Sequence, residues 1–174
     1  VGNRMEPISI AVVGSREKLV KAFESAGWFA ALKPTISTVV PLAIDAIFNR
    51  PYPNAPMTPS FLNAEPDAIG FQKPTPDNTA RERHHTRFWS TDYTLNGVPV
   101  WVATASLDNG IRYLITHKIQ PDIDTEREYI KNDLVGTGAV AKTEQIQLVE
   151  TYLGKNQSGD QFYTDGKADI IILK

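Results

Sequence analysis

Cysteine is absent from this chain of 174 residues, and its absence removes several kinds of chemistry. Disulfide bonds, thiolate metal ligands and a cysteine nucleophile are all excluded. Because no cysteine usage can be read, the redox compartment of the protein cannot be inferred from its sequence.

A strong charge of one sign is also missing, since the net charge is only -2. Proteins that bind nucleic acid usually carry a basic stripe or a high pI. No nucleic-acid partner is therefore expected, although Arg81, Arg83 and Arg87 form a local basic spot that suits an anion.

No apolar run approaches the roughly 18 to 20 residues that are needed to cross a bilayer. The most hydrophobic segment, residues 36–48, is too short and contains Pro41 and Asp45. The chain starts with Val1, and no signal-peptide pattern precedes the first strand-like run. We therefore expect it to be a processed chain or a piece of a longer polypeptide.

Length and composition are those of one soluble globular domain. The apolar fraction is 41% and the charged fraction is 22%, both ordinary for such a domain, and 174 residues are too few for two separate cores. A single domain over residues 1–174 is expected.

Secondary-structure patterns predict an α+β fold. A strand over 8–13 leads into a helix that Ser15 caps, and a second N-terminal helix is expected over 35–49. A third helix should open at 121–124 and end near Leu134. Strands are predicted over 68–73, 84–90, 98–107, 111–119, 145–151 and 168–173. Asn-Gly turns at 96–97 and 109–110 favour hairpins, so we expect a mainly antiparallel sheet with two N-terminal helices and one later helix packed on it.

The stretch 81–89 concentrates polar chemistry, because two of the three histidines lie there side by side among arginines. Alternation along a strand places His85 with Arg87 and Trp89 on one face. His84 belongs to the other face, with Thr86 and Phe88. We therefore expect only one of the two histidines to line a site, and His85 is preferred.

The third histidine lies in a second polar cluster, residues 116–127. His117 shares a strand face with apolar residues, so a packed core histidine is one interpretation. Asp122 and Asp124 both suit a helix N-cap, which gives them a structural explanation as well. The functional alternative is that this cluster meets His85.

Three kinds of site remain open from these residue types. A divalent metal ion could be held by nitrogen and oxygen ligands, namely His85, His117, Asp122 and Asp108. A general acid–base site could be formed by His85, His117 and Asp124. An anion site could be formed by Arg83, Arg87, Arg127 and His84.

An ordered set of motifs resembles the LssY C-terminal domain family over nearly the whole chain. These motifs are Val-Gly-Ser-Arg-Glu at 13–17, Ala-Gly-Trp at 26–28, Arg-Pro-Tyr-Pro at 50–53, Arg-His-His-Thr-Arg-Phe-Trp at 83–89, Gly-Val-Pro-Val-Trp at 97–101, Thr-His-Lys-Ile at 116–119, Pro-Asp-Ile-Asp-Thr-Glu-Arg at 121–127 and Thr-Asp-Gly at 164–166. The resemblance implies a bacterial, aqueous domain attached to multi-pass membrane segments, including DedA-like and type-2 phosphatidic acid phosphatase-like regions. It assigns no catalytic residue.

Three functions follow as hypotheses. The first is an accessory or ligand-binding domain of a membrane-associated protein that recognises an anionic, phosphate-like small molecule or lipid head group. Its expected partners are membrane segments of the same polypeptide or a membrane protein. The second is a hydrolase acting on a phosphoester or lipid-linked substrate, and the third is a structural interaction domain.

Overall fold

The computed structural model describes residues 5–31, 57, 59–76, 82–112, 116–156 and 158–174, and gives only the backbone of 109–112 and 116–118. The strands are β1 (Ile10–Val13), β2 (Phe29–Ala30), β3 (Phe61–Leu62), β4 (Glu65–Pro66), β5 (Ile69–Pro74), β6 (Arg83–Leu95), β7 (Val98–Arg112), β8 (Thr116–Ile119), β9 (Val140–Gln147), β10 (Tyr152–Lys155), β11 (Gln161–Thr164) and β12 (Lys167–Leu173). The helices of these residues are α1 (Arg16–Ser25) and α2 (Ile123–Gly136).

The predicted fold class is wrong in its balance of helix and strand. About half of the described residues are in strands, and most of these strands form one large mixed sheet. The described residues contain one N-terminal helix and one later helix, and the helix predicted over 35–49 lies outside them. Strands β6 and β7, with 13 and 15 residues, run further than their sequence patterns predicted.

The main sheet has the strand order β2-β5-β6-β7-β1-β12-β9, and β8 also pairs with β7. Every pairing in it is antiparallel except that of β1 with β12. A parallel pair cannot be joined by a tight turn, and here it brings the first and last of the described strands together. No local sequence pattern reveals that pairing.

Turn and cap chemistry explains where several elements begin and end. Ser15 caps α1 by accepting a hydrogen bond from the amide of Lys18. Asn96 and Gly97 both have positive φ, 53° and 78°, as a two-residue hairpin turn with the right-handed twist of its strands requires. The predicted capping and hairpin turn are confirmed.

Two local predictions are wrong. Asn109 and Gly110 lie inside β7 instead of forming a turn, and the pairing of β7 with β8 shifts register between Asp108 and Ile111. The Asn-Gly pair therefore interrupts the pairing of β7 with β8 and does not form a turn. The strand predicted over 145–151 is β9, which ends earlier, at Gln147.

Both helices pack on the same face of the main sheet. Their apolar side chains join those of β1, β5, β6, β7 and β12 in one core cluster, which includes Ile10, Phe23, Phe88, Ile130 and Ile171. The predicted apolar face of β7 is confirmed, since Trp101, Ala103 and Ala105 belong to this core. We call this side of the sheet the helix face and the opposite side the polar face.

Candidate functional site

Polar side chains form cross-strand rows on the polar face, because directly paired residues point to the same side of a sheet. In one row Gln72 on β5 and Ser106 on β7 flank His85. In the next row Gly70 and Thr104 flank Arg87.

Most of these side chains are buried although they are polar. Exposed fractions are 1% for Gln72, 9% for His85, 7% for Thr104 and 2% for Ser106. Met57 contributes to this burial, because it lies close to Gly70 in the row that contains Arg87. Burial of this kind is costly unless the polar atoms find partners, so their hydrogen bonds decide what the face can do.

His85 forms one buried hydrogen bond and leaves its other ring nitrogen without a partner. Its Nε2 donates to Oδ1 of Asp108 at 2.8 Å, since an ionised carboxylate can only accept. Its Nδ1 is buried and has no hydrogen-bond partner in the described part of the chain. The ring is therefore oriented by Asp108, and Nδ1 is the atom that a ligand or a proton would meet.

Arg83 is held at one end of the same strand face. Its Nη1 donates to Oε1 of Gln72 at 2.8 Å, and its Nη2 lies 3.8 Å from Oδ2 of Asp108. Burial lowers the pKa of Arg83, and the positive charge of Arg87 lowers it further. The Asp108 carboxylate acts in the opposite direction and raises this pKa. The two guanidinium groups are thus close enough to repel each other.

Arg87 differs from Arg83 in having no hydrogen-bond or ion-pair partner among the described residues; the Nε of Arg83 is also buried without a hydrogen bond, but its Nη atoms have partners. Its Nε is buried without a hydrogen bond, and no described residue forms an ion pair with its guanidinium group. The next side chain on this strand face, Trp89, is fixed by a hydrogen bond from its Nε1 to the backbone oxygen of Glu65 at 3.2 Å. Arg87 therefore presents donors that are not used within the described chain.

The alternation predicted for β6 is confirmed, and it sends His84 to the helix face. There its Nδ1 lies 2.8 Å from Oε2 of Glu126 on α2, and its ring stacks on Tyr129 with centroids 4.0 Å apart. Burial raises the pKa of Glu126, while the hydrogen bond and charge of His84 lower it. The two polar segments of the sequence do meet, and among the described side chains His84 and Glu126 form a contact between them.

Arg127, which sequence reasoning placed in the anion site, lies among carboxylates. Its Nη1 donates to Asp124 at 3.1 Å and to Asp165 at 2.8 Å, and its Nε lies 3.5 Å from Asp169. Asp124 in turn accepts from Thr164 and from the amide of Asp165. Both predicted site residues, Arg127 and Asp124, are therefore joined to each other and to structural partners.

The remaining predicted residues are placed as follows. Asp122 is the N-cap of α2 and accepts from the amides of Asp124 and Thr125, which is the structural role considered for it. His117 lies in β8, which pairs with β7, and its side chain is outside the described part. Arg81 is outside it too.

A metal centre is not assembled by the side chains that the structure describes. Of the four predicted ligands, His85 and Asp108 are neighbours, while Asp122 caps α2. No group of three or more histidine or acidic residues converges within the described residues as a metal site would require.

Comparison with known proteins gives the family. The sequence profile of a family described as LssY C-terminus matches residues 1–168. The chain belongs to this family. Neither the curated proteins nor the solved structures contain a match.

Sequence reasoning missed several side chains that surround the site of this LssY C-terminal domain. Gln72, Thr104 and Ser106 contact the polar face because they are the cross-strand neighbours of His85 and Arg87. They can be identified only from the register of the strands, and that register is known only when the pairing of β5, β6 and β7 is known. Glu126 was missed because an acidic residue in the first turn of a helix is common without any further role.

Neither of the two helices described in this LssY C-terminal domain combines the length and the apolar character that crossing a bilayer demands.

Proposed function

We propose that this LssY C-terminal domain binds an oxyanion, such as a phosphate group, on the polar face of its sheet. Arg87 would be the main contact, with Arg83 and His85 beside it. The observation that carries the proposal is the buried Nε of Arg87 without a hydrogen-bond partner.

Arg87 is partly exposed as a whole, but its Nε–H is buried and has no partner among the described residues. Such a donor is costly to leave unsatisfied, and a bound anion would remove that cost. Leaving a charged donor unsatisfied costs more than the roughly 1 to 3 kcal/mol of a neutral buried group. Arginine also presents donors in a planar fork that matches phosphate and carboxylate oxygens. A ligand with such oxygens would thus gain directional bonds that the free protein lacks.

The charge on the face supports the same conclusion. Arg83 and Arg87 supply two positive charges, and Asp108 is placed between Arg83 and His85. Nδ1 of His85 has no partner and becomes a third donor when the ring is protonated. An anion near Arg87 would also relieve the repulsion between the two guanidinium groups.

Calorimetric titration of the full chain with inorganic phosphate tests the proposal. We expect binding by the native chain and a loss of at least about tenfold in affinity for Arg87→Gln, because a charge-assisted hydrogen bond contributes about 1.5 to 3 kcal/mol. Arg87→Lys should give an intermediate loss, since lysine keeps the charge but not the fork.

The matched control is Arg16→Gln, which removes an exposed arginine at the start of α1 and should leave the affinity unchanged. Equal effects of both substitutions would show non-specific attraction only. Failure of the native chain to bind phosphate or sulfate would contradict the proposal and leave a structural interaction domain as the better description.

Hydrolysis of a phosphoester is the second candidate, and one observation favours it. Asp108 orients His85 so that Nδ1 is unpartnered, and in the neutral ring this nitrogen can accept a proton from water. Nδ1 of His85 would carry a proton when it donates to a bound anion, whereas it must be unprotonated to accept a proton from water. Hydrolysis of p-nitrophenyl phosphate by the native chain, with and without Zn²⁺, Mn²⁺ or Mg²⁺, and its loss in His85→Asn, would support this candidate; no turnover would exclude it for simple monoesters.

Association with membrane segments, which the family resemblance implies, remains a proposal. The phosphate group could then come from a lipid head group or from a free small molecule. Flotation of the chain with vesicles of phosphatidylcholine, with and without phosphatidic acid, separates these sources: recruitment that needs phosphatidic acid and Arg87 would support the lipid.

A further inference from the structure

We infer that the ligand of this site extends from Arg87 across the sheet to Ser9, and that it carries a hydroxylated group beside its phosphate. This inference rests on the proposed anion binding, and it assigns Ser9 and Thr104 as further ligand contacts. The ligand class is then a phosphate ester of a polyol.

Ser9 lies in the plane of the sheet and points away from the helices. Its amide donates to the backbone oxygen of Ala103 at 3.0 Å, and the backbone oxygen of Ser9 accepts from the amide of Asp169 at 2.9 Å. Ser9 therefore continues β1 between β7 and β12. Because the next residue, Ile10, belongs to the core on the helix face, strand alternation turns the side chain of Ser9 to the polar face.

The Ser9 hydroxyl is buried and unused. Ser9 is 1% exposed, and its Oγ has no hydrogen-bond partner among the residues that the structure describes. A buried hydroxyl without a partner costs about 1 to 3 kcal/mol, so an alanine would be preferred there if the position served packing alone. A ligand atom that bonds to Oγ would explain why a serine is tolerated.

Thr104 connects Ser9 with Arg87. It is the cross-strand partner of Arg87, and the pairing of Ile10 with Ala103 makes Ser9 its neighbour on the other side. Thr104 is 7% exposed, and its hydroxyl has no hydrogen bond to a described residue. Arg87, Thr104 and Ser9 thus form one row across β6, β7 and β1.

The length and chemistry of this row indicate the kind of ligand. Neighbouring strands lie about 4.8 Å apart, so the row spans about 10 Å from the Arg87 backbone to the Ser9 backbone. A single tetrahedral anion at Arg87 would not reach the Ser9 hydroxyl at the far end of the row. Hydroxyl groups both donate and accept, and a polyol attached to the phosphate would satisfy Thr104 and Ser9.

The experiment compares inorganic phosphate with glycerol 3-phosphate on the full chain by calorimetry. We expect glycerol 3-phosphate to bind the native chain about tenfold more tightly, which corresponds to one or two additional hydrogen bonds. Ser9→Ala should remove most of that advantage while changing the affinity for inorganic phosphate by less than about twofold. Ser90→Ala, at an exposed position of β6, is the control and should change neither.

Thermal unfolding of the ligand-free variants separates a binding role from a structural one. Removal of an unsatisfied hydroxyl should leave stability equal or higher, so Ser9→Ala should unfold at the same or a higher temperature than the native chain. Destabilisation without a change in the ratio of the two affinities would show that Oγ serves the fold, and would overturn the inference.

The outcomes distinguish this inference from the proposed function. If both ligands bind equally, or if Ser9→Ala leaves their ratio unchanged, the extension to Ser9 is wrong and the anion site at Arg87 remains. If the native chain binds neither ligand, the anion site is wrong and the extension fails with it.

Discussion

Arg87 and Arg127 show why residue type alone did not locate the site. Both were predicted to hold an anion. Arg127 is 3% exposed in its side chain and already contacts the carboxylates of Asp124, Asp165 and Asp169. The Nε of each arginine is buried without a hydrogen bond among the described residues, but no described carboxylate forms an ion pair with Arg87. Of these two arginines, Arg87 is the one whose charge is not compensated by described residues, and this is why we propose it as the anion contact.

The ion pair between Asp165 and Arg127 makes the stability of the fold depend on pH. Burial acts to raise its pKa, but hydrogen bonds from Arg127 and from the amide of Lys167 outweigh it and lower the pKa from 3.8 to about 2. A carboxyl whose pKa is lower in the folded state stabilises the fold above its unfolded pKa. That contribution disappears as the pH falls from about 4 to about 2.

Asp165→Asn should therefore flatten the acid side of the stability profile. Urea unfolding at a series of pH values should show the native chain losing stability between about pH 4 and pH 2 more steeply than the variant. The variant should be the less stable of the two at neutral pH. Parallel profiles would mean that Asp165 and Arg127 do not interact in solution.

Strand β6 is the element that organises both polar clusters. Its alternation sends His85 towards Asp108 on β7 and His84 towards Glu126 on α2. The alternation could be predicted from the sequence because strand geometry has a period of two. The carboxylate partners could not all be predicted, since Glu126 is 42 positions away and reaches His84 only through the packing of α2 on the sheet.

Turns at the ends of strands allow a matched comparison of two glycines. Gly97 and Gly166 have nearly the same positive φ, 78° and 77°. A Cβ at Gly97 would have nothing within 4 Å, whereas one at Gly166 would overlap the backbone oxygen of Val149. Conformational strain is therefore common to both positions, and steric overlap is particular to Gly166.

Alanine at these two positions should separate the two effects. Gly97→Ala should cost about 1 kcal/mol of unfolding free energy from the positive φ alone. Gly166→Ala should cost clearly more, because the backbone of Val149, in the segment that follows β9, must move away. Chemical denaturation of both variants measures the difference, and equal costs would show that the turn at Gly166 relaxes freely.

At the scale of the whole molecule, the sequence predicted the short-range features and missed the long-range ones. The Asn96-Gly97 hairpin, the Ser15 cap and the faces of β6 and β7 depend on local chemistry, and they are present. The parallel pairing of β1 with β12 joins residues at opposite ends of the chain. Local periodicity carries no information about such a pairing.

The proposed site depends on the same long-range order. Arg87, Thr104 and Ser9 belong to three strands whose adjacency is set by the sheet, so no spacing in the sequence connects them. The polar character of the even positions of β7 was visible, but their burial was not. Thr104, Ser106 and Asp108 are each at most 7% exposed, and it is the combination of polarity with burial that points to a ligand.

The most direct test observes the unpartnered atom itself. In a ¹H–¹⁵N spectrum of the arginine Nε–H groups, titration with inorganic phosphate should shift the Arg87 signal in a saturable manner, while that of Arg127, with its carboxylate partners, should stay in place. Assignment by Arg87→Lys identifies the signal. An Arg87 signal that does not move at phosphate concentrations that shift exposed arginines would contradict the proposed anion site.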